Sequence, residues 1–211
     1  GDALSLGQEV ARHARARRIA PGERVTLLNG AGTVATAEVR HIARHAVQVV
    51  VLGSVRVPPF PPVHLLLPVA DKDRTLWLAE KATELGVTSW RPVLWRRSRS
   101  VAGRGEGVAF QAKVRSRMIA ALEQSGGAYM PQLFPVATPE RALAALPDGL
   151  RVALDPAGIP LLRIRLEAPL TLACGPEGGW EEEEVEQLEQ AGFVKAALGG
   201  NVLRFETAAL A

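Results

Sequence analysis

The sequence predicts an α/β protein, with a mostly parallel sheet carrying helices on both faces and a small β domain in front of it. Three observations lead there. From residue 64 onward, short apolar runs alternate with helical stretches, as in strand–helix–strand units. The first of these runs, "VHLLLPVA", lacks strict alternation, as in a strand buried on both faces. Before residue 58 the pattern changes to β-rich runs separated by turn residues. We read 1–57 as the β domain, 58–63 as a linker and 64–211 as the α/β domain.

In the β domain, "ERVTLLNGAGTVATAEVRHI" and "AVQVVVLGSVRV" read as strands with a turn at Asn29-Gly30, and a barrel is the expected closure. The break follows at "PPFPP", where four prolines in five residues exclude helix and central strand. After "VHLLLPVA", "DKDRTLWLAEKATELG" reads as a helix capped by Asp71 or Asp73. Its apolar positions are Leu76, Ala79, Ala82 and Leu85, and Gly86 ends it. Then come a strand "TSWRPVLW", a helix "VAFQAKVRSRMIAALEQSG", a strand "QLFPVA" and a short helix "PERALAALPDG". Strands "LRVALD" and "PLTLACG", a helix from Glu181 and a strand "VKAALG" complete the alternation. Thr207 is placed to cap a last helix from Ala208. Ligands of such sheets bind at loops leaving the carboxyl ends of strands.

Composition narrows the class. The chain has 211 residues, 47% hydrophobic and 22% charged, as in a globular protein. No run reaches the roughly 18 apolar residues of a membrane span, no secretory signal is visible, and a lone cysteine fits a reducing cytoplasm, the expected location. The single cysteine, Cys174, excludes an intramolecular disulfide and any multi-cysteine metal site; no metal is expected. Of 25 basic residues 21 are arginine, which suits phosphate binding and base stacking, although a GC-rich genome gives the same bias.

The stretch "LACGPEGGWEEEEVEQLEQAGF" carries the first candidate site. Gly175, Gly178 and Gly179 let the backbone approach a ligand, and Pro176 stiffens the turn. Yet Glu181, Glu182, Glu183 and Glu184 occupy the first turn of the following helix and satisfy its dipole, and Glu177 adds a carboxylate inside the loop. A polyphosphate would meet like charges, and no Lys-Ser/Thr follows the glycines. The loop better suits a neutral or cationic ligand, such as an adenosine bearing a sulfonium. A tight strand-to-helix turn without a ligand fits the same residues. The second candidate, "LGGNVLRFETAALA", also reads as an ordinary loop entering a helix. Cys174 ends an apolar strand with nothing beside it to lower its pKa, so it reads as a buried small residue, not a nucleophile.

Together these segments carry a resemblance. "GPEGG" with its acidic helix, some twenty residues before "LGGNVLRFETA", is similar to the RsmE family of 16S ribosomal RNA uridine N3-methyltransferases, of the SPOUT class. "KATELGV", "RRSRS", "ALEQSG" and "RRIAPGERVTLLNG" extend the similarity over nearly the whole chain. Gly127 and Asn201 depart from it, each standing where an arginine is common and could contact RNA or ligand.

The resemblance implies a C-terminal trefoil knot, a PUA-like barrel at the N-terminus, a homodimer, and a last helix running past Ala211. It implies S-adenosyl-L-methionine as cofactor and ribosomal RNA or the small subunit as substrate. The cofactor would lie among the region after Leu154, the loop Gly175, Pro176, Glu177, Gly178 and Gly179, and the loop of Leu198, Gly199, Val202 and Leu203. Methyl transfer to uridine N3 needs alignment, loss of the N3 proton and stabilisation of the resulting anion. None of the four histidines is expected in the catalytic domain. Glu177 or Glu206 would take the proton, and Arg204 would stabilise the anion or orient a phosphate. Arg17, Arg18, Arg96, Arg97 and Arg99 are the expected RNA contacts, with Trp90 or Trp95 available for stacking. Two alternatives stay open: a related methyltransferase acting on a ribose 2′-OH, and a non-catalytic RNA-binding assembly protein.

Overall fold

The computed structural model describes residues 2–98 and 107–211. They divide into two compact units between Pro59 and Phe60.

The first unit is a four-stranded antiparallel sheet with one helix. Strands β1 (Ala3–Leu6), β2 (Arg24–Leu28), β3 (Thr33–Ile42) and β4 (Val47–Arg56) lie in the order β1-β4-β3-β2. The Asn29-Gly30 turn is present but spans four residues. Asn29 Oδ1 accepts the Ala31 and Thr33 N–H groups at 2.8 and 2.9 Å, and Gly30 and Gly32 take positive φ of 68° and 96°. Two features differ from expectation. Helix α1 (Gln8–Ala16) was not anticipated: it is amphipathic, but it is short, buries only Ala11 and Ala14, and has no side-chain N-cap to mark its start. The expected barrel does not close through hydrogen bonds among the described residues; β1 and β2 remain edges.

The second unit is a six-stranded sheet in the order β10-β8-β9-β5-β6-β7, every pair parallel. Its elements follow the anticipated alternation. They are β5 (Val63–Pro68), α2 (Lys72–Glu84), β6 (Ser89–Val93), α3 (Val108–Ser125), β7 (Gln132–Leu133), α4 (Pro139–Ala144), β8 (Leu150–Pro160), β9 (Leu170–Cys174), α5 (Glu182–Gln190), β10 (Val194–Ala197) and α6 (Phe205–Leu210). Successive side chains of β5 serve opposite faces. Leu65 and Leu67 join a core with α2, α3 and α6, while Leu66 joins one with α4, α5 and the two tryptophans at 95 and 180.

Helix ends obey the local chemistry. Asp71 caps α2 by accepting the Arg74 N–H at 2.9 Å. Leu85, expected on the buried face, instead ends α2 and is exposed, with Gly86 left-handed behind it. Thr207 does not cap the last helix. That helix starts three residues earlier than its hydroxyl would require, with Arg204 at the N-cap and no side-chain cap. His64, expected outside the catalytic domain, lies on β5, but near its amino end and bonded to Ser89 Oγ at 2.7 Å. Burial lowers its pKa, so the neutral ring is a packing group.

Strand β8 runs further than expected and breaks its register with β10. Ala153 pairs with Lys195, but the next partners are Ile159 and Ala196. Asp155 Oδ1 accepts the Ala157 N–H at 2.8 Å inside this excursion. A Cβ on Gly158 would lie 2.5 Å from the Ala196 nitrogen, backbone that cannot step aside. Gly158→Ala should therefore cost about 1–3 kcal/mol, lowering Tm by roughly 2–4 °C per kcal/mol for a chain of this size. An unchanged thermal midpoint would contradict this close approach.

Candidate active site

The chain leaves β5 toward β6 and β7, then returns to place β8 and β9 on the other side. The carboxyl ends of β5 and β9 are thus neighbours at the point where the order reverses, the place where open α/β sheets bind ligands. Loop 175–181 leaves β9 there, beside the start of α2.

The loop is tightly specified. The Gly179 N–H bonds to the Pro176 carbonyl at 2.8 Å, and Gly179 has φ of 74°. A Cβ on Gly175 would sit 3.1 Å from the Trp180 ring. Trp180 meets Trp95 edge-on at 5.9 Å between centroids. Trp90 and Trp95 are each only 2% exposed, so both belong to the core and neither is a stacking surface.

The glutamates are answered by arginines. Arg97 donates from Nε and Nη2 to Glu181 at 2.7 and 3.1 Å, and from Nη1 to the Gly178 carbonyl at 2.7 Å. Its hydrogen bonds hold the Glu181 carboxyl below the usual range. Arg96 pairs with Glu183, and its backbone N–H donates to buried Glu184 at 2.7 Å. Glu184 in turn accepts the Glu181 N–H at 2.9 Å, completing a capping box. The expectation of unopposed negative charge favouring a sulfonium is thereby corrected: neighbouring guanidinium groups neutralise much of it. Arg96 and Arg97, expected to face RNA, are engaged in clamping the loop.

The residue that sequence reasoning missed is Arg74. Its Nη1 donates to Glu177 at 2.7 Å, and its Nε lies 3.6 Å from both Asp71 and Glu206. Its guanidinium carbon stands 5.8 Å from the centre of the Phe205 ring. The hydrogen bond to Glu177 raises its pKa further. One side chain thus ties α2, the glycine loop and the start of α6. Only the cap motif around Asp71 hinted that this turn was special. Glu206 has a side chain 12% exposed, and its Oε2 is buried with no hydrogen-bond partner among the described residues.

The other expected residues are placed as follows. Leu154 is half-buried and pairs with Cys174 across β8 and β9. Leu198 is half-buried after β10, Gly199 is exposed, and Val202 and Leu203 are 85% and 39% exposed. Arg204 is exposed at the start of α6, whose Phe205 and Ala209 share the core of Cys174. Arg17 and Arg18 are exposed after α1 in the first unit; Arg99 lies outside the described residues.

Cys174 is 1% exposed, and burial pushes its thiol pKa up to about 12. It should resist iodoacetamide at pH 8 in the folded protein, and rapid native-state alkylation would refute its burial. Arg74→Ala should weaken the hold on Glu177 and loosen α6, making amide exchange at 177–179 and 205–207 several-fold faster. Exchange at parent rates would show that the three-way tie carries no stability.

The RNA methyltransferase domain matches residues 58–211, and the RNA methyltransferase PUA domain matches 6–52. The ribosomal RNA small subunit methyltransferase E of Mycobacterium bovis is 30% identical over 96% of this chain and 81% of its own. The protein of that name from Bacillus subtilis is 26% identical over 97% and 85%. Among solved structures, a ribosomal RNA small subunit methyltransferase E from Neisseria gonorrhoeae, bound to S-adenosyl methionine, is 30% identical. It superposes with a TM-score of 0.88 over 100% of this chain and 89% of its own. A methyltransferase from Legionella pneumophila with the same cofactor gives 0.85 at 26% identity, over 100% and 89%. With a matching domain across the whole second unit and a relative this similar over nearly its full length, the chain belongs to the RsmE family of RNA methyltransferases.

Proposed function

We propose that the chain transfers a methyl group from S-adenosyl-L-methionine to N3 of a uridine in small-subunit ribosomal RNA. The observation that carries this reading is the clamped glycine loop at the β5/β9 switch point, in a chain similar to relatives solved with that cofactor. A knotted C-terminus, a homodimer and a cytoplasmic location belong to the same reading.

The loop fits the cofactor. Gly179, Gly199 and Gly200 have open space where a Cβ would stand, so backbone can approach a flat adenosine. The pairing of its carboxylates offsets part of the loop's negative charge, compatible with a zwitterion that carries a sulfonium. Bound there, the cofactor supplies an electrophilic methyl group. The chain's own residues hold the target base and manage its proton. Alignment alone can contribute about 7–11 kcal/mol in the best cases. Arg204, exposed and at the base of α6, is placed to stabilise negative charge on the uracil carbonyls once N3 is deprotonated. Glu177 is the more accessible of the two candidate proton acceptors: its side chain stays 46% exposed within its ion pair, against 12% for Glu206. Glu206 then serves to hold α6 against Arg74.

The deciding experiment is methylation of undermethylated small subunits with labelled cofactor, followed by mapping of the modified nucleoside. A methyl group on the ribose would sink the N3 assignment, and no transfer at all would sink the enzyme reading. Arg204→Ala should lower kcat by roughly a hundredfold or more, the usual loss of a preorganised donor, while calorimetry finds cofactor affinity unchanged. Turnover at the parent rate would remove Arg204 from the mechanism.

A further inference from the structure

At the carboxyl ends of β5, β6 and β7 lies a cavity of about 470 Å3 that the cofactor loops do not line. Its size falls in the range of small-ligand sites. Two aromatic rings stand in its wall, Phe110 from the first turn of α3 and Phe134 just after β7. Each carries a cation. Lys72 Nζ, in the wall itself, is 5.6 Å from the centre of the Phe110 ring; the Arg91 guanidinium carbon is 4.4 Å from that of Phe134 but lines the neighbouring cavity on the other side of that ring. Gln111, also in the wall, offers an amide with both donor and acceptor, the complement of a base edge. Aromatic rings, a lysine and one polar reader in a single wall are the groups by which proteins hold unstacked RNA bases.

The cavity is wired to the glycine loop. Asp71 lines it, lies 3.6 Å from Arg74 Nε, and Arg74 donates to Glu177 of the loop at 2.7 Å. A base seated here would therefore rest one ion-pair relay from the methyl-donor loop. We propose that this cavity receives an unstacked base of the RNA substrate, stacked on Phe110 or Phe134 and read by Gln111. The inference rests on the methyltransferase reading above and adds the place where the substrate is gripped.

The test uses the full chain and undermethylated small subunits. Phe110→Leu keeps apolar volume but removes the π-face; Gln111→Leu removes the reader. Each should raise KM for the subunits about tenfold, in line with the loss of one stacked base, while calorimetric affinity for S-adenosyl-L-methionine stays at the parent value; Phe110→Leu, whose ring also packs on the core, lowers Tm by a few degrees at most. RNA carrying 5-iodouridine should photocrosslink to peptides containing Phe110 or Phe134. Unchanged KM with no crosslink in 107–114 or 133–136 overturns the proposal. So does weakened cofactor affinity with unchanged KM, which would give the cavity to the cofactor. If a variant fails to fold, crosslinking to the parent chain decides alone. A parent that transfers no methyl group yet crosslinks at Phe110 would fell the enzyme reading and leave the base site standing.

Discussion

The guanidinium of Arg74 holds together three pieces of chain that are far apart in sequence: the start of α2, the glycine loop after β9, and the start of α6. Parallel sheets make this necessary. Their loops emerge side by side at one end, but nothing in the strand ladder fixes how a loop stands above it. Here Glu177 is bound at 2.7 Å from α2, and Glu206 approaches the same cation at 3.6 Å. A planar group with five donors suits such a junction better than a lysine ammonium could. Its position in the first turn of α2 follows from the Asp71 cap, which sets where that helix begins.

The acidic run after the glycines shows how a charge pattern misleads when read along one segment. Five glutamates within eight residues suggest a strongly negative site. In the folded chain they are distributed among different tasks. Glu181 and Glu183 meet Arg97 and Arg96, Glu184 closes a capping box, and Glu177 meets Arg74. The arginines come from segments some 80 to 100 residues away. What remains is a tightly hydrogen-bonded turn whose negative charge three guanidinium groups partly offset, with open glycine backbone, and that shape is the property a flat, zwitterionic ligand needs.

Most of the second unit was legible because its signals are local. The alternation of apolar runs and amphipathic stretches, the Asp71 cap, and Gly86 as a helix stop all act within a few residues of themselves. The elements that escaped lack such signals. Helix α1 buries only alanines, and α6 has no capping side chain to mark its start. At the site, the glycine loop was visible as a motif, whereas Arg74 was not, since its partners are set by tertiary packing. The two tryptophans looked available for stacking because aromatic type alone does not distinguish core from surface; the Trp95–Trp180 contact does.

The break in β8 has a consequence of its own. Residues 154–158 have no counterparts in β10, so the strand behaves as two short ladders joined by a detour. Which face each half presents is decided by its own pairing, and not by counting residues through the detour. The detour can therefore gain or lose residues without sliding either ladder, provided a glycine still meets β10 where Gly158 does. Evolution can retune this rim of the sheet as a replaceable insert, while the frame that carries it keeps its register.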